Sequence, residues 1–383
     1  MNALNSWLAG VRVLDLGQYL PGPGAAQILG DLGADVLKVE SPAGDPLRAL
    51  DPVTGKKVAG ISPYYAAINA GKRVVRLDLK NEKGMRAFER LAAAADALIE
   101  SFRPGALPKL GLGAEALRAL NPRLVHVALS GYGQTGPLAS AAGHDLNYLA
   151  FAGALAASGP FAAPAIAFPP IADNASAMHA ALCVLGGLLN RARTGQGAFV
   201  DVSLAETALA WQAWGLTAAA AGSTPSREAA MLNGGAAYYR IYRTRDGKFV
   251  TLGAIEPAFW RNFCAAVGRP EWVPRHADPL PQTALIAEVA AHVATGSRAE
   301  WDDRLGRVDC CYQAVLDHGE VADHPHAAAR GLIRRVPADA NTGAPSHVEA
   351  AFAAIVGGRA PPARAPFRDV TADDALAAWE VAL

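Results

Sequence analysis

The sequence predicts an α/β protein with a large domain, built on a parallel doubly wound sheet, and a smaller α+β domain. Over the first 130 residues, short apolar segments alternate with amphipathic ones, which is typical of strand–helix–strand units with right-handed crossovers. Near residue 245, two strand-like segments instead flank the turn Arg245-Asp246-Gly247, which indicates an antiparallel hairpin. At 383 residues the chain is long enough for two or three domains.

Helical segments separate the short apolar strands of the large domain. The predicted strands are 11–17, 35–40, 73–79, 97–102, 123–131 and 198–206. The predicted helices lie within 22–34 and 81–96, after Asp173, and, as a long Ala-rich helix, after residue 206. Ligands of doubly wound sheets bind at the carboxyl ends of the strands, so we expect the site in the loops that follow these strands.

The helix after Asp173 has a clear apolar face, because apolar residues recur there at intervals of four, three and four positions. They are Met178, Leu182, Leu185 and Leu189. Asp173 stands before this face as a favoured N-cap residue, and Gly195 follows it as a stop signal.

The character of the sequence changes near Gly222–Pro225, and the predicted domain boundaries follow from that change. We expect a large domain over 1–224, a smaller α+β domain over 225–325 and a return to the large domain over 326–383. The elements predicted after residue 225 are the hairpin 237–254 and helices at 257–267, 282–296 and 371–382.

Composition excludes two classes of protein. Hydrophobic residues make up 51% and charged residues 18% of the chain, which excludes an intrinsically disordered protein. The 35 Lys and Arg residues balance the 35 Asp and Glu residues, so no net positive charge exists to bind a nucleic-acid backbone. An anionic ligand must therefore be held by a local pocket.

Two uncharged stretches raise the question of a membrane span, and we expect none. Residues 146–172 contain four prolines, which break helices, and residues 207–226 are predicted as a buried Ala-rich helix at an interface. The four cysteines form no CxxC pair, and the N-terminus lacks the pattern of a secretory leader. We therefore expect a reduced, cytoplasmic protein.

The segment GPGAAQ at 22–27 resembles a dinucleotide-binding loop only in part. It follows a strand and opens a helix, but Gln27 stands where the third glycine belongs. We therefore expect no NAD, and a nucleotide-containing ligand bound in another way stays open. No GxSxG, P-loop or HExxH motif occurs, and His324 and His326 are predicted to form a surface turn and no metal site.

Three charged or titratable side chains stand near predicted element boundaries. His144 follows a glycine, which permits close backbone approach, although a lone histidine is more often structural. Asp173, at a helix N-terminus, suits either an N-cap or an ionised base or nucleophile. Glu256 follows a strand and precedes a proline-started helix, whose dipole it complements. No local motif links the three residues, so the pattern alone leaves their meeting open.

Segments along nearly the whole chain resemble the CaiB/BaiF family, the family III CoA-transferases. They are 8–48, which begins LAGVRVLDLGQYLPGPG, and 69–80, 95–113, 121–137 and 191–206. The resemblance implies an acyl-CoA thioester as substrate and no permanently bound cofactor, since coenzyme A is part of the substrate. It also implies an interlocked homodimer, in which each subunit has a large Rossmann-like domain and a small domain. The active site then lies where large and small domains of different subunits meet.

Within this family, the motifs GHDLNYLA, LNGGAAYY and GAIEP resemble the racemase branch. There the matching His and Asp are the two bases that move a proton at the carbon beside the thioester, and the matching Glu supports the His. The resemblance assigns these roles to His144, Asp173 and Glu256. The segment IADNASAMHA and Gln18 resemble the transferase branch, in which Asp173 would form a CoA thioester. A CoA-transferase is therefore the second hypothesis, and a non-catalytic CoA-binding protein is the third.

The remaining candidate site residues serve binding. The backbone N–H of Asp145 is the candidate donor to a thioester enolate. The candidate contacts to CoA and substrate are Lys38, Lys72, Arg103 and Lys109 for the phosphates, Phe102 for the adenine ring, and Tyr239.

Overall fold

The computed structural model describes residues 4–379, and the chain divides into two compact units. The first unit runs up to Leu149, resumes over Pro169–Ala210 and resumes again from His324. The second unit comprises Ala150–Phe168 and Trp211–Asp323. An α/β large unit and a smaller α+β unit confirm the predicted fold class.

The chain returns to the large unit at residue 324 instead of the predicted 326, and the other boundaries differ from the prediction in two larger ways. The main part of the large unit ends at residue 210 instead of 224, and residues 150–168 belong to the smaller unit. Arg227 gives the physical reason for the second difference. Its guanidinium donates hydrogen bonds to the carbonyl oxygens of Ala156, Pro160 and Phe161, at 3.2, 3.0 and 3.0 Å, and so holds this segment within the smaller unit.

The strands and helices have the following bounds. The strands are β1 (Arg12–Leu16), β2 (Asp35–Glu40), β3 (Arg73–Arg76), β4 (Ala97–Glu100), β5 (Val125–Ser130), β6 (Ala198–Ser203), β7 (Tyr239–Arg243), β8 (Phe249–Gly253), β9 (Tyr312–Ala314), β10 (Ile333–Val336), β11 (His347–Ala350) and β12 (Arg368–Val370). The helices are α1 (Pro21–Asp31), α2 (Pro63–Asn69), α3 (Glu82–Ala94), α4 (Ala106–Lys109), α5 (Ala114–Leu120), α6 (Asp145–Phe151), α7 (Ile171–Thr194), α8 (Leu204–Ala210), α9 (Ala213–Ala220), α10 (Pro257–Val267), α11 (Thr283–Val293), α12 (Arg298–Leu305), α13 (His318–Ala322), α14 (Pro325–Arg330) and α15 (Ala372–Ala378).

Seven parallel strands form the sheet of the first unit, in the order β12-β3-β2-β1-β4-β5-β6. Six of them follow the doubly wound order 3-2-1-4-5-6, which reverses direction between β1 and β4. The runs of β1, β2, β4 and β5 are buried on both faces, as central strands of a parallel sheet covered by helices require. One core cluster fixes the register, with Leu14 opposite both Leu37 and Leu98.

The C-terminal segment returns to this sheet, because β12 pairs with the outer edge of β3. Its last helix, α15, ends at Ala378, and residues 380–382 of the predicted final helix lie outside the described residues. Around residue 206 the prediction was wrong. The predicted strand 198–206 ends at Ser203, and the Ala-rich stretch forms two short helices, α8 and α9.

Helix α7 is the central helix of the first unit and is 24 residues long. It packs on α1, β5 and β6, and Gly187 sits so close to β5 that an added Cβ would lie 2.5 Å from a methyl carbon of Val125. By length and composition alone α7 is long and apolar enough to cross a membrane. Core helices that pack on a sheet, as α7 does, have the same length and composition. It begins at Ile171, so Asp173 is its third residue and not the predicted N-cap.

The second unit has its own core under an antiparallel sheet, in the order β7-β8-β9. Helices α10, α11 and α12 cover it, and its large side chains include the fully buried Trp260 of α10 and Trp272 of the 3₁₀ helix Pro270–Ala277. The indole N–H of Trp260 donates to the carbonyl oxygen of Trp272 at 2.9 Å, so the polar atom of this buried ring is satisfied.

Candidate active site

An open cavity lies along the carboxyl edge of the parallel sheet, next to the point where the strand order reverses. Its volume is about 190 Å³, and residues that follow β1, β2, β3 and β4 line it. Gly17, Gln18, Asp45, Lys80 and Phe102 are among them. Ligands of open α/β sheets bind at this crevice, so the fold and the cavity indicate the same place.

The loop between β1 and α1 forms one wall of the cavity and leaves no room for a side chain at Gly17. A Cβ on Gly17 would lie 2.7 Å from the Cα of Gly22, so the backbone passes itself at a distance that only glycine permits. The backbone N–H of Gln18 donates to Oγ of Ser101 at 3.0 Å. This bond ties the loop to the residue that follows β4.

Lys38 and Lys72 are buried beneath this loop, which corrects the prediction that they bind CoA. Lys38 is fully buried, and its Nζ donates to the carbonyl oxygen of Gly17 at 2.6 Å and lies 3.1 Å from the carboxylate of Asp45. Lys72 is 2% exposed, and its Nζ donates to the carboxylate of Asp15 at 2.8 Å. Both ammonium groups hold the loop from inside and do not reach the surface.

The other predicted CoA contacts of the first unit lie at or near the surface after β4. Phe102 lines the cavity, and Arg103 and Lys109 are exposed. Their role in binding CoA stays a prediction. Lys80 and Gln18 also line the cavity and were not among the predicted binding residues.

Tyr148 fixes the segment that carries His144. Its hydroxyl donates to the carbonyl oxygen of Gly143 at 2.6 Å, and the edge of its ring meets Tyr132 with ring centres 5.2 Å apart. An added Cβ on Gly131 would lie 2.6 Å from the Tyr148 hydroxyl, and one on Gly143 would lie 2.8 Å from its ring. Two glycines therefore make the space that the tyrosine fills.

His144, Asp145 and Asp173 come together where α6 and α7 begin. The backbone N–H of His144 donates to the side-chain oxygen of Asn147 at 3.0 Å, which closes the first turn of α6. The backbone N–H of Asp173 donates to Oδ1 of Asp145 at 3.1 Å, which joins the two helix starts. Asp145 and Asp173, which are 28 positions apart in the sequence, thus contact each other in the structure.

Electrostatics in this group favour proton transfer by Asp173. Burial raises the pKa of Asp173, the charge of Asp145 raises it further, and His144 lowers it, with a net value of about 6. A carboxyl group with this pKa is close to half protonated slightly below neutral pH. Such tuning is typical of residues that work as acid and base.

The N–H of Asp145 is positioned to act as a donor, because Asp145 is the first residue of α6. The first amides of a helix have no partner within the helix. The proposed bond to a thioester enolate stays a prediction.

Glu256 and Tyr239 belong to the second unit. Glu256 takes the N-cap position of α10, its side chain accepts no capping hydrogen bond, and it is exposed. Tyr239 begins β7 and is 36% exposed. The support of His144 by Glu256 and the contact of Tyr239 with substrate stay predictions.

Sequence reasoning missed Tyr148, Tyr132 and Lys80. Lys80 stands just after a strand, so the rule that ligands bind at strand ends could have identified it. Tyr148 lies inside GHDLNYLA, but its role depends on Gly131, which belongs to another strand end. Among residues 4–379, no group of three His, Cys, Asp or Glu side chains could hold a metal ion. His324 instead accepts a hydrogen bond from the N–H of His326 at 3.2 Å, at the start of α14.

The whole arrangement has counterparts in known proteins. The protein-family model described as "CoA-transferase family III" matches residues 8–366 of this chain. The chain belongs to CoA-transferase family III. This confirms the resemblance to the CaiB/BaiF family and identifies the chain as an enzyme of that family.

The relatives of this family III enzyme carry names of both reaction types. It is 35% identical to the alpha-methylacyl-CoA racemase of Homo sapiens, over 85% of this chain and 81% of that protein. It is also 35% identical to a probable fatty acyl-CoA transferase of Mycobacterium tuberculosis, over 88% and 89%. Identity to the acetyl-CoA:oxalate CoA-transferase of Acetobacter aceti is 31%, over 85% and 84%.

Solved structures agree with this family assignment. A crystal structure of a CAIB/BAIF family protein from Brucella suis superposes with a TM-score of 0.79 at 27% identity, over 97% of this chain and 98% of that chain. A structure of the Mycobacterium tuberculosis protein gives 0.76 at 30% identity, over 96% and 97%.

Proposed function

We propose that this family III enzyme is an acyl-CoA racemase or epimerase that inverts the carbon beside the thioester of a 2-methylacyl-CoA-like substrate. The observation that carries the proposal is the group at the starts of α6 and α7. There a histidine stands beside a carboxyl group whose pKa is raised to about 6. Two relatives, which are 35% and 33% identical to this chain, are named alpha-methylacyl-CoA racemase.

Racemisation needs one base on each face of the α-carbon, one of them protonated. The Asp173 carboxylate removes the α-proton, the electron pair moves into the thioester carbonyl to form the enolate, and the imidazolium of His144 returns a proton to the opposite face. The reverse direction exchanges the two roles. The N–H of Asp145 stabilises the enolate oxygen, and Glu256 supports His144.

The nucleotide end of CoA occupies the cavity at the carboxyl edge of the sheet in this proposal. Phe102, an aromatic residue, and Lys80, a positively charged residue, both line this cavity. Arg103 and Lys109 are exposed cations on the adjoining segment. CoA comes with each substrate, so the reaction requires no permanently bound cofactor.

A CoA-transferase is the second candidate, and two observations favour it. With a pKa of about 6, Asp173 is mostly ionised above pH 7 and is available as a nucleophile. Several relatives are named CoA-transferases. In this reaction Asp173 attacks the thioester carbonyl and releases CoA thiolate. The thiolate attacks the resulting anhydride at the aspartyl carbon and frees the first acid, and a second acid then takes the CoA by the same two steps reversed.

Deuterium exchange separates the two reactions. Purified protein is mixed in heavy water with a single enantiomer of a 2-methylacyl-CoA and no added acid. A racemase places deuterium at the α-carbon and forms the other enantiomer. Absence of exchange together with CoA transfer to an added acid, and with hydroxylamine trapping of Asp173, identifies the transferase. Absence of both reactions leaves a non-catalytic CoA-binding protein.

Variants identify the bases in that experiment. His144→Ala removes the base of one face, so exchange falls by about 10² to 10⁴ or survives for one enantiomer only. His179→Ala, at an exposed histidine of α7, is the matched control and keeps full exchange. Equal loss in both variants would contradict the role of His144.

We also propose that the enzyme is a cytoplasmic homodimer. Large apolar side chains are exposed on α7 of the first unit and at the start of the main segment of the second unit, which fits burial against a second copy. They are Met178 (58% exposed), Leu182 (64%), Leu189 (71%), Trp211 (62%) and Trp214 (79%). Sedimentation should give about twice the chain mass of 39.7 kDa. A stable monomer at low micromolar concentration would exclude the dimer.

A further inference from the structure

A histidine of the second unit holds the turn that carries Glu256. Nε2 of His276 lies 2.8 Å from the carbonyl oxygen of Ile255, the residue immediately before Glu256. A carbonyl oxygen only accepts hydrogen bonds, so Nε2 carries the proton and donates it. The ring of His276 is half-buried.

Tyr238 fixes both sides of this contact. Its ring stacks on the ring of His276, with centres 4.2 Å apart and planes at 20°. Its carbonyl oxygen accepts a hydrogen bond from the N–H of Ala254 at 2.8 Å. Tyr238 is 6% exposed, so one buried residue aligns the histidine and the chain two residues before Glu256.

Gln282 fixes the backbone on which His276 stands. Its side-chain amide donates to the carbonyl oxygens of His276 and Asp278, at 3.1 and 3.0 Å. Its Oε1 accepts from the N–H of Ala237 at 3.0 Å, and the side chain is buried. The turn at 276 is thereby tied to the segment that leads into Tyr238.

We infer that His276 is a positioning residue for Glu256, acting through the hydrogen bond from its Nε2–H to the carbonyl of Ile255. Glu256 is exposed and its side chain caps nothing, so its location depends on the backbone from which it projects. The two residues that precede it are held by Tyr238 and His276. The inference rests on the proposed function to the extent that Glu256 takes part in the reaction.

The first test separates positioning from binding. His276→Ala removes the donor, and a displaced catalytic group lowers kcat by about tenfold to a hundredfold, while KM for the acyl-CoA stays within about twofold. His276→Gln offers an amide N–H in place of Nε2–H and recovers most of the lost kcat. Tyr238→Phe keeps the stacked ring and the backbone carbonyl and is the matched control. Failure of Gln to recover any activity, with normal folding, would overturn the inference.

The second test asks whether His276 acts through Glu256. Residues that work as one unit give losses that do not add. Introduced into Glu256→Gln, His276→Ala should therefore cause no further fall in kcat. Two losses that multiply in the double variant would show that His276 acts elsewhere.

The third test does not depend on turnover. Amide hydrogen exchange is followed over residues 253–256 in the wild type, His276→Ala and His276→Gln. The Ala variant exchanges faster in this segment, and the Gln variant remains close to the wild type. Unchanged exchange in the Ala variant overturns the inference whatever the activity. If the wild type turns over no acyl-CoA while the exchange result holds, the proposed function fails and the positioning contact stands.

Discussion

The backbone N–H of Asp173 donates a hydrogen bond to Oδ1 of Asp145 at 3.1 Å. This bond joins the first turns of α6 and α7, and it places one carboxylate close enough to raise the pKa of the other. Asp145 therefore holds the backbone of Asp173 and also shifts the proton equilibrium of its side chain. Two substitutions separate these effects.

Asp145→Asn keeps an oxygen that accepts the Asp173 N–H but removes the negative charge. Because a like charge raises the pKa of a carboxyl group, its removal lowers the pKa of Asp173. We expect the acid limb of the pH–rate profile to move to lower pH in this variant, with kcat at its optimum largely kept. An unmoved acid limb would show that Asp173 does not govern it. Asp145→Ala loses the bond as well, and its kcat should fall below that of the Asn variant.

Asp173→Asn should stabilise the folded protein at alkaline pH while abolishing activity. Folding raises the pKa of Asp173 from 3.8 to about 6, so the folded state binds this proton more tightly than the unfolded state. Its contribution to stability is present below pH 3.8 and is lost as the pH rises through 6. A pKa shift of this size corresponds to about 3 kcal/mol in the free energy of unfolding if the group is fully buried. Because solvent screens the half-buried Asp173, we expect about 1 to 2 kcal/mol.

Urea unfolding at pH 8 and pH 4.5 measures this effect. The Asn variant should be more stable than the wild type at pH 8, and the difference should shrink at pH 4.5. Asp303→Asn, at an exposed position of α12, is the control. A variant less stable than the wild type at pH 8 would mean that the carboxylate is held by favourable contacts.

Some features of the fold and site could be predicted from the sequence. Mostly apolar runs such as Val125–Ser130, which reads VHVALS, predict buried parallel strands because polar residues do not occupy every second position. The motifs around His144 and Asp173 identified residues that the fold brings together. Lys38 and Lys72 were misjudged because their partners are set by the fold. The pairing of Lys72 with Asp15 joins residues 57 positions apart and appears only when β1 and β3 enter one sheet.

Two neighbouring glycines of α7 should respond to alanine in opposite directions. A Cβ on Gly187 would lie 2.5 Å from a methyl carbon of Val125, so Gly187→Ala forces α7 away from β5 and costs about 1 to 3 kcal/mol. A Cβ on Gly186 would have nothing within 4 Å, and alanine in a helix interior gains about 0.5 to 1 kcal/mol over glycine. Thermal unfolding of the two variants tests how α7 packs. Gly186 shares a helix face with Leu182 and Leu189, which the proposed homodimer covers, so destabilisation by Gly186→Ala would place Gly186 in that contact.

Substitutions of Lys72 and Arg103 should separate an effect on stability from an effect on substrate binding. Both were predicted to bind CoA, but Lys72 is buried against Asp15 and Arg103 is exposed. Burial alone would raise the pKa of Asp15, yet Lys72 and Lys38 outweigh it and keep that pKa below its ordinary value. Lys72→Met therefore leaves a buried carboxylate with one partner fewer and should cost about 3 to 5 kcal/mol.

Arg103→Ala should leave stability within about 0.5 kcal/mol, as is usual for an exposed position. If Arg103 contacts a phosphate of CoA, its loss removes a charge-assisted hydrogen bond and raises KM for the acyl-CoA by about tenfold. Denaturation and initial rates on both variants give the comparison. A KM effect for Lys72→Met in a fully folded protein would return that residue to the binding site. An unchanged KM for Arg103→Ala would exclude a contact of Arg103 with the phosphates and leave Lys109 as the candidate cation of the segment that follows β4.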